Sequence, residues 1–398
     1  MTEPGRARIA TLYAAIFLGM GVGLPFFPVW LAARGLDADA IGLILSASIL
    51  VRVAASLALT ALADRGAEPV RLLAALNGLA ALVFLALHLT DGFAPILALT
   101  MIGAVAQSGL IALTDLVATR GAAGSAPYGR VRLWGSVGFV AGNLAGGVAV
   151  AQASPESVVL LQALAAGLAG LASLAAPTRD RAVGARDATS APLVAPRAGT
   201  LALVIAAAAL IQASHAALYG FSALDWDARG VSPTMVGGFW ALGVAAEIAL
   251  FGLRGGLAST LPAALGLMAL GGFASLLRWG VMASGPGLGL TLLLQTGHAL
   301  SFAVTHLGTL AALQLLAPPG ARARSQGMLA AGSAAANAVA TMLAGRAFEV
   351  SGWLAYAAML PIAAAGLVCV GLAAWRGRGS HGGQPQSVGS AGWTRPPS

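Results

Sequence analysis

The sequence predicts an all-α membrane protein with 12 transmembrane helices in two pseudo-symmetric six-helix halves. Three observations support this. The 398 residues are 58% hydrophobic and 9% charged, with a mean hydropathy of +0.84, whereas a soluble domain is about 25% charged. The apolar residues fall in runs long enough to cross a bilayer, which takes roughly 20 residues. One long polar interior stretch, 177–199 (PTRDRAVGARDATSAPLVAPRAG), divides these runs six against six.

The runs are 8–33, 41–63, 72–89, 94–119, 131–152, 157–176, 200–224, 233–253, 260–282, 287–317, 327–348 and 353–375. Arg6 and Arg8 precede the first. It is too long for a signal peptide and lacks a small-residue cleavage site, so it reads as a span; Pro25 and Pro28 bend it near its far end. The second carries Arg52 at its middle, and the third and sixth stand on length and apolarity alone. The fourth nears its end at Asp115, and the fifth opens on Arg130 and Arg132. Closely spaced glycines in the fifth (GSVGFVAGNLAGG, 135–147) suit close helix packing. The seventh and tenth hold polar stripes, and the eighth holds Glu247, the one Glu inside a run. The ninth ends near Arg278 and Trp279, which read as interfacial. The eleventh follows the loop PPGARARSQG (318–327). The twelfth holds Cys369, the single cysteine, which excludes a disulfide framework and a cysteine metal site. The chain thus divides into a first half (1–176), a linker (177–199), a second half (200–378) and a Gly/Ser/Pro-rich tail (379–398) expected to be disordered.

The net charge of +8 comes from 22 arginines, with no lysine. The arginines sit in short loops between apolar runs, so they speak for topology rather than for nucleic acid. Arg34, Arg229, Arg278 and Arg346 fall on one side, Arg52 lies within a run, and the other seventeen fall on the side of the termini. This places both termini in the cytoplasm, with the chain in the inner (plasma) membrane of a bacterium. The loop before the fifth run, PYGRVRLWG (127–135), is echoed before the eleventh by PPGARARSQG. A parallel repeat of two such halves, with the substrate at their interface, is a common plan of secondary transporters.

A charge in lipid costs several kcal/mol unless it is paired or reaches water, so each ionisable residue in a run is a candidate. Arg52 shares a helix face with Ser48 and Ser56. Its guanidinium could anchor a substrate carboxylate or form a structural ion pair. Asp115 and Arg132 lie nine and eight residues from the middle of their loop, hence at similar depth. They read as a pair that binds a polar group, or as a gating bridge. Glu247 reads as a proton carrier, with Asp115 or His215 as its partner in coupling. Gln212, His215, Tyr219 and Ser222 form one stripe, and Gln295, His298, Thr305 and Thr309 another. Each faces a cavity or bonds between helices. Phe26, Tyr219 and Trp240 could stack on an aromatic substrate, whereas Trp30 reads as a residue of the membrane interface. No P-loop, HExxH, GxSxG or paired CxxC occurs, which argues against an enzyme.

Asp64, Arg65 and Gly66 after the second run resemble a reduced form of the loop signature of the major facilitator superfamily. YGRVRLWGSVGF (128–139), HAALYGFSALDWDARGVSPTMVGGFWALGVAAEIALF (215–251) and RWGVM (278–282) resemble the 3-phenylpropionate permease family, relatives of the lactose and nucleoside permeases. The resemblance implies the major facilitator fold and proton-coupled uptake of a small aromatic monocarboxylate. It implies a gating role for Asp64, Arg65 and Gly66, and it matches Asp115 and Arg132 to an acid and an arginine on the fourth and fifth helices of lactose permease. The expected partners are a small-molecule substrate and the lipid bilayer, with no nucleic acid, no cofactor beyond the coupling proton, and a monomeric state. The alternatives are a sugar or nucleoside symporter, or an efflux antiporter. Asn143 stands where the antiporter signature of the superfamily has a proline, which weighs against efflux.

Overall fold

In a computed structural model, residues 3–65, 68–121, 128–176, 198–253, 258–318 and 321–379 are described. Twelve helices are long and apolar enough to cross a membrane. They are α1 (Gly5–Ala33), α2 (Ala38–Leu59), α3 (Pro69–His88), α4 (Phe93–Thr119), α5 (Tyr128–Gln152) and α6 (Ser157–Leu174), then α7 (Ala198–Ala228), α8 (Pro233–Gly252), α9 (Leu261–Ala283), α10 (Leu288–Leu316), α11 (Arg324–Val350) and α12 (Gly352–Arg378). Each predicted run falls on one of these, with ends displaced by a few residues. The described residues contain no strand. Most of the predicted linker and tail, residues 177–197 and 380–398, lies outside the described residues.

Periodicity did not predict the interruptions. The α4 span stops at Gln107, passes through Ser108 and Gly109 (φ 72°), and resumes at Leu110. The α7 span breaks between Ala213 and Ala216, beside His215. The α10 span contains a π-helical turn at Ala299–Val304. Such turns leave the i→i−4 ladder out of step and recur at functional sites. Both breaks fall within the expected stripes, the α7 break beside His215 and the α10 turn between His298 and Thr305.

The helices of the first half approach closely along glycines. At Gly138 an added Cβ would strike the backbone of Ala14, at Gly142 that of Leu18, and at Gly21 that of Phe139. The crowded glycines of α5 therefore seat α1, the small-residue contact that lets two membrane helices meet backbone to backbone. Gly147 against Pro233, and Gly237 against Asn143, repeat the contact between α5 and α8, across the halves. Asn143 is fully buried in this seam.

The core shows which end of the bundle is closed. At the face opposite the termini one continuous apolar cluster joins both halves, from Val22, Phe26 and Ile44 to Phe221, Trp226 and Ala344. At the face of the termini the clusters are separate, one around Tyr13, Leu73 and Leu113, the other around Val204, Met268 and Leu313. On the closed face Glu349 of α11 accepts a hydrogen bond from the backbone N–H of Ala38 at the start of α2 (3.1 Å). A carboxylate there is favoured by the helix dipole.

The closed face also holds a clamp within each half. Arg34, just past α1, donates to Asp91 (2.5 Å), Glu156 (2.7 Å) and the carbonyl of His88 (2.7 Å). It also lies over the Trp30 ring, whose indole N–H donates to Glu156 (3.1 Å). Trp30 is fully buried, so it is a member of this clamp and not the interfacial residue expected. Arg229 occupies the matching place after α7, bonded to Asp225 (3.4 Å) and the Pro286 carbonyl. The two sites share an echo, Ala33-Arg34-Gly35-Leu36 and Ala228-Arg229-Gly230-Val231, with isoleucine or valine and then glycine at Ile41-Gly42 and Val236-Gly237. Gly35 and Gly230 both have φ of 77°, a turn geometry that costs a glycine nothing. Burial alone would raise the Glu156 carboxyl, but hydrogen bonds from Arg34 and Trp30, the Arg34 charge and the bond with His88 together hold it below the usual range.

Two outcomes follow from this packing. Gly142→Val forces α5 off α1 and lowers the melting temperature of the purified protein, by an overpacking cost of about 1–3 kcal/mol or more. Gly129→Val, with nothing within 4 Å of the added Cβ, leaves it unchanged. Because the Glu156 value is depressed, its stabilisation is present above about pH 4.3, the unfolded value for a glutamate, and is lost as pH falls through the folded value. Melting curves of the wild type should therefore fall more steeply with acidification than those of Glu156→Gln.

Candidate functional site

Arg278 is the centre of the site. It lies on α9, five residues before its end, and is 2% exposed. Its Nη1 donates to Nδ1 of His298 (2.8 Å) and to Ser301 Oγ (3.4 Å), and its Nη2 donates to Oε1 of Gln295 (2.9 Å). Its guanidinium also lies 4.8 Å from the centre of the Trp279 ring. Because His298 Nδ1 accepts from Arg278, the ring proton sits on Nε2, which faces Oε1 of Glu247 at 2.9 Å. One chain of contacts thus joins Glu247 of α8, His298 of α10 and Arg278 of α9. His215 lies behind it. Its Nδ1 faces the carbonyls of Ile211 and Gln212 (both 3.2 Å), so its Nε2 accepts from Ser301 Oγ (3.0 Å). The Trp279 indole donates to Ser214 (3.0 Å) at the α7 break. The broken α7 and the π turn of α10 bring His215, His298 and Ser301 together.

Arg278 and Trp279 were expected at the outer interface; both are buried, and this is the main correction to the sequence reading. The signal available was an arginine inside an apolar run. Its nearness to the end of the run made it look topological.

A cavity of about 410 Å³ lies between the halves. One wall is Arg132, Ser136 and Phe139 of α5 with Phe17 and Leu24 of α1. The other is Glu247 and His298 with an aromatic lining of Tyr219, Phe239, Trp240 and Phe302. Tyr219 stacks near His215 (5.9 Å) and lies 5.9 Å from Trp240. Arg132 does not pair with Asp115. Its guanidinium rests over the rings of Phe17 (4.4 Å) and Tyr13 (5.4 Å). Gly135 makes room for it, since a Cβ there would lie 2.8 Å from Nη1. Asp115 Oδ1 instead accepts from the hydroxyls of Tyr13 and Tyr128, the latter at 2.8 Å. Equal depth did not bring the two charges together, because α5 turns Arg132 toward the second half.

A second cavity, of about 440 Å³, lies within the first half. Arg52, Ser56, Asn77, Gln107, Asp115 and Gln162 contribute its polar groups. A third, of about 350 Å³, shares Arg52 and Gln162 with it, and Leu24, Phe139 and Tyr219 with the inter-half cavity. The inter-half cavity and the cavity within the first half reach Phe251 and Asp115, near the ends of α8 and α4 at the face of the termini.

The remaining expected residues are placed as follows. Phe26 is 1% exposed and packs on Gly146, so it belongs to the α1–α5 contact; its neighbour Phe27 lines a cavity instead. Gln212 and His215 line none of the three cavities. Arg65 is exposed, Asp64 ends a helix, and Gly66 lies outside the described residues.

Comparison with known proteins agrees with this architecture. A family profile described as "MFS_1 like family" matches residues 7–357. The "Probable 3-phenylpropionic acid transporter" of Escherichia coli (strain K12) is 35% identical over 312 residues, 76% of this chain and 80% of its own length. The "Maltose permease" of Geobacillus stearothermophilus is 35% identical over 137 residues, 34% of this chain and 35% of its own. Among solved structures, nucleoside transporter NupG superposes with a TM-score of 0.74 at 16% identity, covering 94% of this chain and 99% of its own. A bacterial homologue of the human lysosomal transporter Spinster, inward-facing and unoccupied, gives 0.68 at 15%, covering 94% and 96%. At these identities the structures speak for the fold alone.

Removing Arg278 strands His298, Gln295 and a buried carboxylate, a loss of about 3–5 kcal/mol. Arg278→Met should lower the melting temperature sharply. Adding Glu247→Gln should recover part of that loss, with a coupling of about 0.5–3 kcal/mol in a double-mutant cycle. Strict additivity would exclude the network.

Proposed function

The chain belongs to the MFS_1 like family and is a membrane transporter, and from this premise we propose that it takes up a small aromatic monocarboxylate, such as 3-phenylpropionate, together with a proton. The observation that supports this reading is the inter-half cavity, where Arg132 faces the Glu247–His298 pair across an aromatic lining. A guanidinium resting on rings and, among the described residues, bonded to no carboxylate is available to a substrate carboxylate. Tyr219 and Trp240 offer faces on which an aryl ring stacks. The 35% identity to the Escherichia coli protein over most of both chains supports the same substrate class.

Glu247 is the proton carrier in this reading. Protonation removes the charge that His298 Nε2–H meets, and so loosens α8 from α10. Arg278 holds His298 in the tautomer that addresses Glu247. Substrate and proton thus act on opposite walls of one cavity, and rocking of the halves carries both. With the termini in the cytoplasm of a bacterial inner membrane, as the arginine distribution indicates, the cavity opens inward and the clamps of Arg34 and Arg229 lie outside. A proton moving down the membrane potential supplies about 2.3 kcal/mol per 100 mV.

Cells expressing the chain should accumulate labelled 3-phenylpropionate, and a protonophore should abolish the accumulation. No uptake above empty cells would exclude the substrate, and uptake indifferent to the protonophore would exclude the coupling. Glu247→Gln should abolish uphill accumulation and retain counterflow exchange. Arg132→Gln should raise KM or abolish uptake.

A further inference from the structure

Arg52 has no role in the cycle described above, yet it is the most exposed problem in the first half. It lies at the middle of α2 and lines two adjoining cavities. Among the described residues it has no hydrogen-bond or ion-pair partner. Asp115 lines the same internal cavity, but it is bonded to Tyr13 and Tyr128. An unpaired guanidinium at this depth needs an anion or water. A second observation points to a ligand. Gln162 is 6% exposed and borders both cavities, and its Oε1 has no partner. A buried amide oxygen left unmatched is costly, and such a group calls for a ligand or an ordered water. The α4 break at Ser108–Gly109 opens this space, because Gly109, Leu110 and Ile111 form its wall where a continuous helix would have filled it differently. Ser56, Asn77 and Gln107 add polar groups, and most of the remaining wall is apolar, including Ile16, Met20, Val53 and Phe84.

We propose that this cavity within the first half is a second binding site, for a small apolar monocarboxylate anchored on Arg52. The proposal takes its ligand class from the function above but uses a different site, one separated from Arg132 and Glu247. The cavity of about 440 Å³ is of the size that ligand sites have, about 300–1,000 Å³. Arg52, the one cation of its lining without a partner among the described residues, and a largely apolar wall select an anion with a compact hydrocarbon body. The third cavity connects it to the inter-half site past Phe139 and Tyr219, so the two sites communicate.

The test is equilibrium dialysis of the full chain in nanodiscs, with labelled 3-phenylpropionate and labelled octanoate as probes and 3-phenylpropanamide as the uncharged control. The wild type should bind two equivalents of 3-phenylpropionate. Arg52→Gln should bind one, Arg132→Gln should bind one, and the amide should not occupy the Arg52 site. If Arg52→Gln does not fold, Ala112→Phe fills the same cavity without touching a charge and should also lose one equivalent. A single equivalent in the wild type that Arg52→Gln leaves intact, two equivalents in Arg52→Gln, or no binding of either acid overturns the proposal. The two readings fail separately. One Arg52-dependent equivalent of octanoate, with no 3-phenylpropionate uptake by cells, sinks the transport substrate and leaves this site standing. Proton-coupled uptake with one equivalent indifferent to Arg52→Gln does the reverse.

Discussion

A guanidinium buried at Arg278 must be solvated by the protein, because neither lipid nor packed helix supplies water. Three acceptors on α10, His298, Gln295 and Ser301, take its two Nη groups, and its Nε is left without a partner among the described residues. Gln295 and His298, three residues apart, share a face of α10, and Ser301 stands inside the π turn at Ala299–Val304. Ser301 in turn bonds His215 at the break in α7, and His298 meets Glu247 on α8. Four helices of the second half are thus tied to one cation. The irregular backbone of α7 and α10 is what that solvation demands.

The first half is organised differently. Its α1–α5 contact is made by glycines; Arg34 is clamped on the closed face, while Arg132 lines the inter-half cavity and Arg52 the internal ones. One half therefore holds its charge in a closed network, and the other presents charge to whatever enters. This asymmetry suits the symport of an anion and a proton proposed above. The anion needs an unpaired cation to enter against, and the proton needs a carboxylate whose partner depends on its charge.

The closed face supplies the rigidity against which such a device could work. The Arg34 and Arg229 clamps stand at equivalent places in the two halves, each tying the end of a half's first helix to a loop between its third and fourth. The shared apolar cluster and the glycine seams join the halves at that end, while at the other end their cores are separate.

Hydropathy alone was enough for the twelve spans, because lipid leaves a chain few options: about 20 apolar residues must cross as helix, whatever the neighbours. The ionisable residues Arg52, Arg132, Glu247 and His298 were equally legible, because each breaks an apolar run at a cost. Their partners were not. Asp115 and Arg132 share a depth and both meet Tyr13, but Asp115 takes the hydroxyls of Tyr13 and Tyr128 while Arg132 lies over the rings of Tyr13 and Phe17 and lines the inter-half cavity. Phe26 and Phe27 are adjacent in sequence, yet about 100° of helix rotation buries one in the core and turns the other to a cavity. Arg278 looked like an interfacial residue because it is close to the end of its run; only the approach of α10 shows that it is solvated from inside the bundle. The bilayer imposes its length rule on each segment separately, so sequence reports it. Which face of each helix meets which neighbour is set by contacts among several helices at once, and that is decided only in the folded bundle.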